Sequence, residues 1–174
     1  VTQRVHAASF LRLVHLQRTN LAGNILQRLL TAGYPAEHAL RTLNSLCALR
    51  SRAGAVTVDL LELHLDTGSA AIYKWGAPTS YLLGSRSVEK LGYAGPPPGL
   101  SLTDCQESRH TLTLRRQERL LLVSDGIGQE AAHQCCLKGL NLSTKELAAQ
   151  ILTCAQLGSQ DDATIISVTL EPKS

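Results

Sequence analysis

Two short acidic sites have the residue types and placement to do chemistry. Asp125 follows the apolar run Leu120-Leu121-Leu122-Val123-Ser124 and precedes Gly126. Asp161-Asp162 closes the turn-rich segment Gly158-Ser159-Gln160 and leads into Ile165-Ile166-Ser167-Val168. Each carboxylate is thus expected at the end of a core strand, where a sheet fixes its position and water still reaches it. Hard divalent cations take oxygen ligands, so carboxylates so placed suit Mg²⁺ or Mn²⁺. Two such cations can deprotonate a bridging water and clamp a phosphoryl group for in-line attack. Each site alone also has an ordinary use, because Asp-Gly is a common turn after a strand and Asp a common cap before one.

Other chemistries have less behind them. The histidines are scattered, with no Ser/His/Asp or Cys/His motif context. Gly126-Ile127-Gly128 is a lone G-x-G without the third glycine of a dinucleotide loop. Cys135-Cys136 lies near His133, but no C-x-x-C pair accompanies it, so free thiols are expected there and not zinc. The five cysteines, odd in number and irregularly spaced, fit a reducing compartment better than a disulfide framework.

The elements that must hold these residues follow from pattern. Phe10–Leu16 is a short apolar strand, after which the period changes. Leu21, Ile25, Leu29 and Leu30 fall at helical spacing, with Asn20 as N-cap and Gly33 as left-handed stop. Pro35 opens a second helix through Leu40, Leu43 and Cys47 to about Arg50. Val56–Leu65 is a long strand whose apolar parity shifts at Leu60-Leu61, which fits either a bulge or burial on both faces. Asp66-Thr67-Gly68 turns it into Ala70–Trp75. Tyr81–Leu83 and Val88–Leu91 form a second hairpin, and Gly95-Pro96-Pro97-Pro98-Gly99 is a loop without ladder donors. Leu112–Leu114 and Leu120–Ser124 are strands, Glu130–Leu137 is a weak helix, and Ser143-Thr144-Lys145-Glu146 is a capping box before a helix to Leu157. Thr164–Leu170 closes as a strand. Hairpins dominate and helices do not alternate with strands, so the class is α+β with antiparallel sheet.

Composition bounds the rest. With 174 residues, 44% of them hydrophobic, residues 1–174 read as one folded domain. A net charge of +3, and arginines at 109, 115, 116 and 119 without interleaved aromatics, give no nucleic-acid footprint. No run approaches the apolar length of a membrane span, so no membrane contact by this segment is expected. The chain lacks methionine and begins at Val1, which reads as a fragment or processed form.

Five stretches in order carry a family resemblance. They are Thr57-Val58-Asp59-Leu60, Lys74-Trp75-Gly76-Ala77-Pro78-Thr79-Ser80, Pro97-Pro98-Gly99-Leu100, Leu121-Leu122-Val123-Ser124-Asp125-Gly126-Ile127 and Asp161-Asp162-Ala163-Thr164-Ile165-Ile166. Across about Asn20 to Leu170 the chain resembles the catalytic domain of the PPM (protein phosphatase 2C-type) family, in its stage II sporulation protein E branch. The resemblance implies an α/β/β/α sandwich of antiparallel sheets flanked by helices. It also implies a two-metal Mn²⁺ or Mg²⁺ centre whose activated water hydrolyses phosphoserine or phosphothreonine on a protein, with no Ser, Cys or His nucleophile. By position Asp125 matches the metal-binding Asp of the Ser-Asp-Gly motif, and Asp161 that of the closing motif. Asp162 is the second choice of ligand there, and Ala163 replaces the usual Met. The implied partner is a phosphorylated regulator of the anti-sigma-factor antagonist type, and a homodimer is compatible with the branch. A cytoplasmic domain follows, with an anchor outside the segment left open. In the sporulation branch the first helix pair moves to assemble the metal site.

One departure matters. The family's first metal motif, Asp-Gly-Met-Gly, belongs between the first strand and the first helix, where this chain has only Gln17-Arg18-Thr19-Asn20. Two readings stay open: a stretch missing from an active phosphatase, or a non-catalytic pseudophosphatase that binds a phosphoprotein.

Overall fold

The computed structural model describes residues 10–17, 20–49, 56–92, 95–100, 109–156 and 162–171. Eight strands and four helices follow in the order β1 (Phe10–Gln17), α1 (Asn20–Thr31), α2 (Ala36–Leu49), β2 (Thr57–His64), β3 (Ser69–Trp75), β4 (Ser80–Leu83), β5 (Val88–Leu91), β6 (Arg109–Thr113), β7 (Arg119–Val123), α3 (Gln129–Lys138), α4 (Thr144–Gln156) and β8 (Ile165–Val168). They make two four-stranded sheets, ordered β1-β2-β3-β6 and β5-β4-β7-β8. Every strand pair is antiparallel.

Local chemistry sets the joints. α1 stops at Gly33, whose φ of 88° is left-handed, and the Tyr34 N–H reaches back to the Leu29 carbonyl. The capping box forms at α4: Ser143 N–H donates to the Glu146 carboxylate at 2.9 Å, and Glu146 N–H to Ser143 Oγ at 3.3 Å. The β2–β3 turn needs glycine at Gly68, where a Cβ would stand 2.3 Å from the Leu114 carbonyl oxygen. Arg119 donates to the carbonyls of Leu142 and Leu140, at 2.6 and 2.8 Å, and so holds the α3–α4 connection to β7.

Three apolar layers stack through the molecule. Val58, Leu60, Tyr73 and Trp75 pack the outer face of the first sheet on Leu26, Leu40 and Leu43 of α1 and α2. Leu61, Leu63, Ile72, Leu120 and Leu122 fill the space between the sheets. Tyr81, Leu121 and Val123 pack the outer face of the second sheet on Cys136, Leu147 and Ile151 of α3 and α4. This is an α/β/β/α sandwich. It explains the parity shift in β2: its register with β1 runs unbroken from Thr57 to His64, so there is no bulge. The strand is buried on both faces, under helices on one side and a second sheet on the other.

Boundaries differ from expectation in small ways. β6 begins at Arg109, because its pairing with β3 extends to Tyr73, and β8 ends at Val168, where pairing with β7 runs out at Leu120. The charged Arg109 is paid for locally: it lies 3.7 Å from Glu37 and over the Tyr73 ring.

Candidate functional site

The two acidic segments meet at one end of the sandwich. β7 and β8 pair with Val123 opposite Ile165, so the antiparallel register carries Ser124 opposite Thr164 and Asp125 opposite Ala163. Ser124 closes the junction. Its N–H donates to the Thr164 carbonyl at 3.0 Å, its Oγ accepts from the Thr164 N–H at 2.8 Å, and the hydroxyl reaches the Asp162 carbonyl at 3.3 Å. Ser124 itself is buried, whereas Asp125 and Asp162 are exposed. A short turn, Ile127 N–H to the Ser124 carbonyl at 3.1 Å, carries the chain from Asp125 into α3. The start of α3 is held from the neighbouring strand by the Tyr81 hydroxyl, which donates to the Gln129 carbonyl at 2.8 Å. Burial pushes the Tyr81 hydroxyl up to about 12, so it stays a donor at any physiological pH.

The end of β1 lies at this same end of the molecule. Gln17 pairs with Thr57 at the start of β2, and β2 pairs with β3 so that Trp75 also lies there. The Lys74 ammonium then crosses between the sheets to Ser80 Oγ at the start of β4, at 2.9 Å. β4 starts beside the end of β7, so the end of β1 at Gln17 and the Asp125 turn lie at the same end of the sandwich.

Beneath that rim lies a charged pair that the sequence reading did not single out as functional. Asp59 and Lys74 face each other across β2 and β3, with Nζ 2.5 Å from Oδ1 and both side chains at 0% exposure. They point, with Ser80, into the space between the sheets. Burial draws the Lys74 ammonium below its ordinary range, and the Asp59 carboxylate opposes this. The signal was present: Asp59 and Lys74 each interrupt an apolar run at a position whose parity faces inward. A charge so placed needs a charged partner in the same layer.

The predicted metal residues can now be placed. Asp125 stands at the rim as expected. Asp161 lies outside the described residues, and its neighbour Asp162 reaches the rim through the Ser124 clasp. The exposed oxygen donors fit a hard divalent cation in kind. Among the described residues they fall short in number of a two-metal centre, and the sequence between the end of β1 at Gln17 and the start of α1 at Asn20 adds no acid. Among the described residues no group of three or more His, Cys, Asp or Glu side chains could hold a metal ion. Cys135 and Cys136 are buried thiols and belong to no such group.

Comparisons with known proteins agree with this architecture. The family model for stage II sporulation protein E matches residues 18–171. Among solved structures, the PP2C phosphatase domain with a fragment of the regulatory domain of SpoIIE from Bacillus subtilis superposes with a TM-score of 0.73 at 22% identity, over 90% of this chain and 50% of that one. The RsbU and RsbW domains of a Mycobacterium tuberculosis protein give 0.73 at 16% identity, over 91% and 51%. The SiaA-PP2C domain of Pseudomonas aeruginosa gives 0.73 at 16%, over 97% and 78%. The chain spans about half the length of the first two. A search of curated proteins finds no match. On its sequence and its α/β/β/α sandwich together, the chain belongs to the stage II sporulation protein E family, within the PPM (PP2C-type) phosphatases.

Proposed function

We propose that this chain is a metal-dependent protein serine/threonine phosphatase domain, with Asp125 and Asp161 as ligands of Mn²⁺ or Mg²⁺. Its substrate is a phosphorylated protein regulator of the anti-sigma-factor antagonist class. The observation that carries the reading is the Ser124 clasp, which joins the Asp125 turn to the strand that follows Asp161-Asp162. Solved relatives include RsbX in complex with magnesium and a SpoIIE phosphatase domain presoaked with manganese, which supports the choice of cation. When bound, such a cation supplies a polarised water and neutralises charge on a phosphoryl group. The chain's own part is to hold the exposed carboxylates of Asp125 and Asp162 at the ends of two paired strands, over a core of packed apolar layers. The exposure of Asp125 leaves room for a phosphorylated side chain of another protein, which a buried site would exclude.

The β1–α1 joint favours a second reading. Two residues without an acid connect strand and helix, so a domain that binds the phosphoprotein without cleaving it is the alternative. One assay separates the two: release of phosphate from a phosphoserine protein with Mn²⁺, with Mg²⁺ and with chelator. Hydrolysis that needs metal and is lost in Asp125→Asn supports the phosphatase. Binding of the phosphoprotein without hydrolysis, at any metal concentration, supports the second reading. Hydrolysis that survives both chelation and Asp125→Asn overturns the metal assignment.

A further inference from the structure

Away from the acidic rim, the interface between α3 and α4 places two thiols against each other. Cys135 Sγ and Cys154 Sγ stand 3.2 Å apart, the first on α3 and the second in the last turns of α4. A disulfide bond is about 2.05 Å long, so closure requires an approach of roughly 1.1 Å between the two sulfurs. The two helices are already fixed relative to each other. Ala132, Cys136, Leu147 and Ile151 pack them against the second sheet, and Arg119 ties their connection to β7.

We propose that Cys135 and Cys154 are a redox-modifiable pair that a peroxide converts to an intramolecular disulfide joining α3 to α4. Half-buried Cys154 is the thiol that an oxidant reaches, while Cys135 is buried. Burial pushes the Cys135 thiol up to about 11, so it waits protonated as the resolving partner. In the first step the Cys154 sulfur attacks one oxygen of hydrogen peroxide. The O–O bond breaks, the sulfur becomes a sulfenic acid, and one water leaves. In the second step the Cys135 sulfur attacks the sulfenic sulfur. The S–O bond breaks, hydroxide departs, and it takes up the Cys135 thiol proton as a second water. Two thiols and one peroxide thus give one disulfide and two waters, and a dithiol reductant reverses the bond. Cys136 is one residue further round the helix, fully buried against the second sheet, and has no part in the exchange.

The bond has a structural consequence at the rim. α3 begins four residues after Asp125, and α4 ends at Gln156, six residues before Asp162. A covalent tie between the helices restrains both acidic segments from behind. This inference is independent of phosphatase activity and of any bound metal.

The test treats the reduced, full chain with a small excess of hydrogen peroxide, quenches free thiols by alkylation, and reads intact mass and tryptic peptides. The expected result is a loss of two hydrogens reversed by dithiothreitol, with the 120–138 peptide linked to the peptide carrying Cys154. The link persists in Cys136→Ser and disappears in Cys135→Ala and in Cys154→Ser. Mapping on the Cys136→Ser chain, where Cys135 is the one cysteine of the 120–138 peptide, stands whether or not the Cys135 variant folds. Stable sulfinic acid on Cys154 with Cys135 still alkylated overturns the proposal. So does a cross-link that survives Cys154→Ser.

Discussion

Replacing Lys74 by Met leaves the Asp59 carboxylate in the space between the sheets without its ammonium partner. Both side chains are at 0% exposure and Nζ is 2.5 Å from Oδ1, so neither charge has water to fall back on. Breaking a buried pair on one side costs about 3–5 kcal/mol, because the surviving charge loses its ion-pair partner in a site closed to water. The lysine also donates to Ser80 Oγ at 2.9 Å, so its loss frees a polar contact between β3 and β4 as well. Against a domain stability of about 5–15 kcal/mol, the single variant is expected to lose about a fifth or more of the total. Removing both charges behaves differently: Asp59→Leu with Lys74→Met has no stranded ion and should return to about the parental stability or exceed it. Urea unfolding followed by circular dichroism reads both, with the slope checked for constancy. The pH dependence supplies a second readout. Asp59→Asn lowers the folded-state pKa of Lys74 further below its ordinary 10.5. Between that lowered value and 10.5 the unfolded chain holds the proton more than the folded one does. Stability of Asp59→Asn must therefore rise with pH across that window, more steeply than in the parent. A Lys74→Met cost below about 1 kcal/mol, the usual worth of a surface pair, would refute the buried placement. So would a double variant as weak as the single ones.

Other expectations follow from single contacts. Ser124→Ala removes both hydroxyl bonds of the clasp and should cost about 1–3 kcal/mol by urea unfolding, at about 0.5–1.5 kcal/mol for each bond; on the proposed function it also weakens Mn²⁺ binding, read by titration calorimetry. Glu146 has its carboxyl held below the usual range by Ser143 in the capping box, so its contribution is present above the unfolded pKa and is lost as pH falls through the folded one. The acid limb of a thermal-melt profile should accordingly be shallower in Glu146→Gln. On the proposed function, insertion of Asp-Gly-Met-Gly between Gln17 and Asn20 adds a carboxylate at the end of the sandwich that carries Asp125 and should tighten Mn²⁺ binding by titration calorimetry; unchanged affinity, with the fold intact by circular dichroism, refutes a metal role for that end.

Most elements were legible because each depends on local chemistry. Gly33 and Pro35 punctuate the helix pair, the Ser143–Glu146 box starts α4, and Gly68 turns β2 into β3. Those residues act within a few positions of themselves. Asp125 was legible for the same reason, standing where an apolar strand meets a glycine. The double-sided burial of β2 was half legible: parity showed that both faces are apolar, but a bulge predicts the same pattern, and only the second sheet decides between them. The Asp59–Lys74 pair was legible as two anomalies and illegible as a pair, since 15 residues and a hairpin turn separate the partners. The Cys135–Cys154 contact left no signal in spacing, because it depends on how α3 and α4 cross.

These dependencies separate what holds the fold from what could do chemistry. The sandwich is stabilised by three apolar layers and one ion pair sealed between its sheets, none of which involves an acidic residue of the rim. Asp125 instead occupies an exposed turn and Asp162 an exposed segment before β8, where a substitution disturbs few core contacts. The sheets do not depend on an acidic turn between β1 and α1, since β1 keeps its full register with β2 up to Gln17 and α1 packs Leu26 and Leu30 beneath the same core. Membership of the family follows from the sequence match over residues 18–171 and the layers that accompany it, whereas the proposed catalysis depends on the carboxylates at the strand ends. The same physical division lets a chain retain the whole architecture whether or not it carries an acidic turn between β1 and α1.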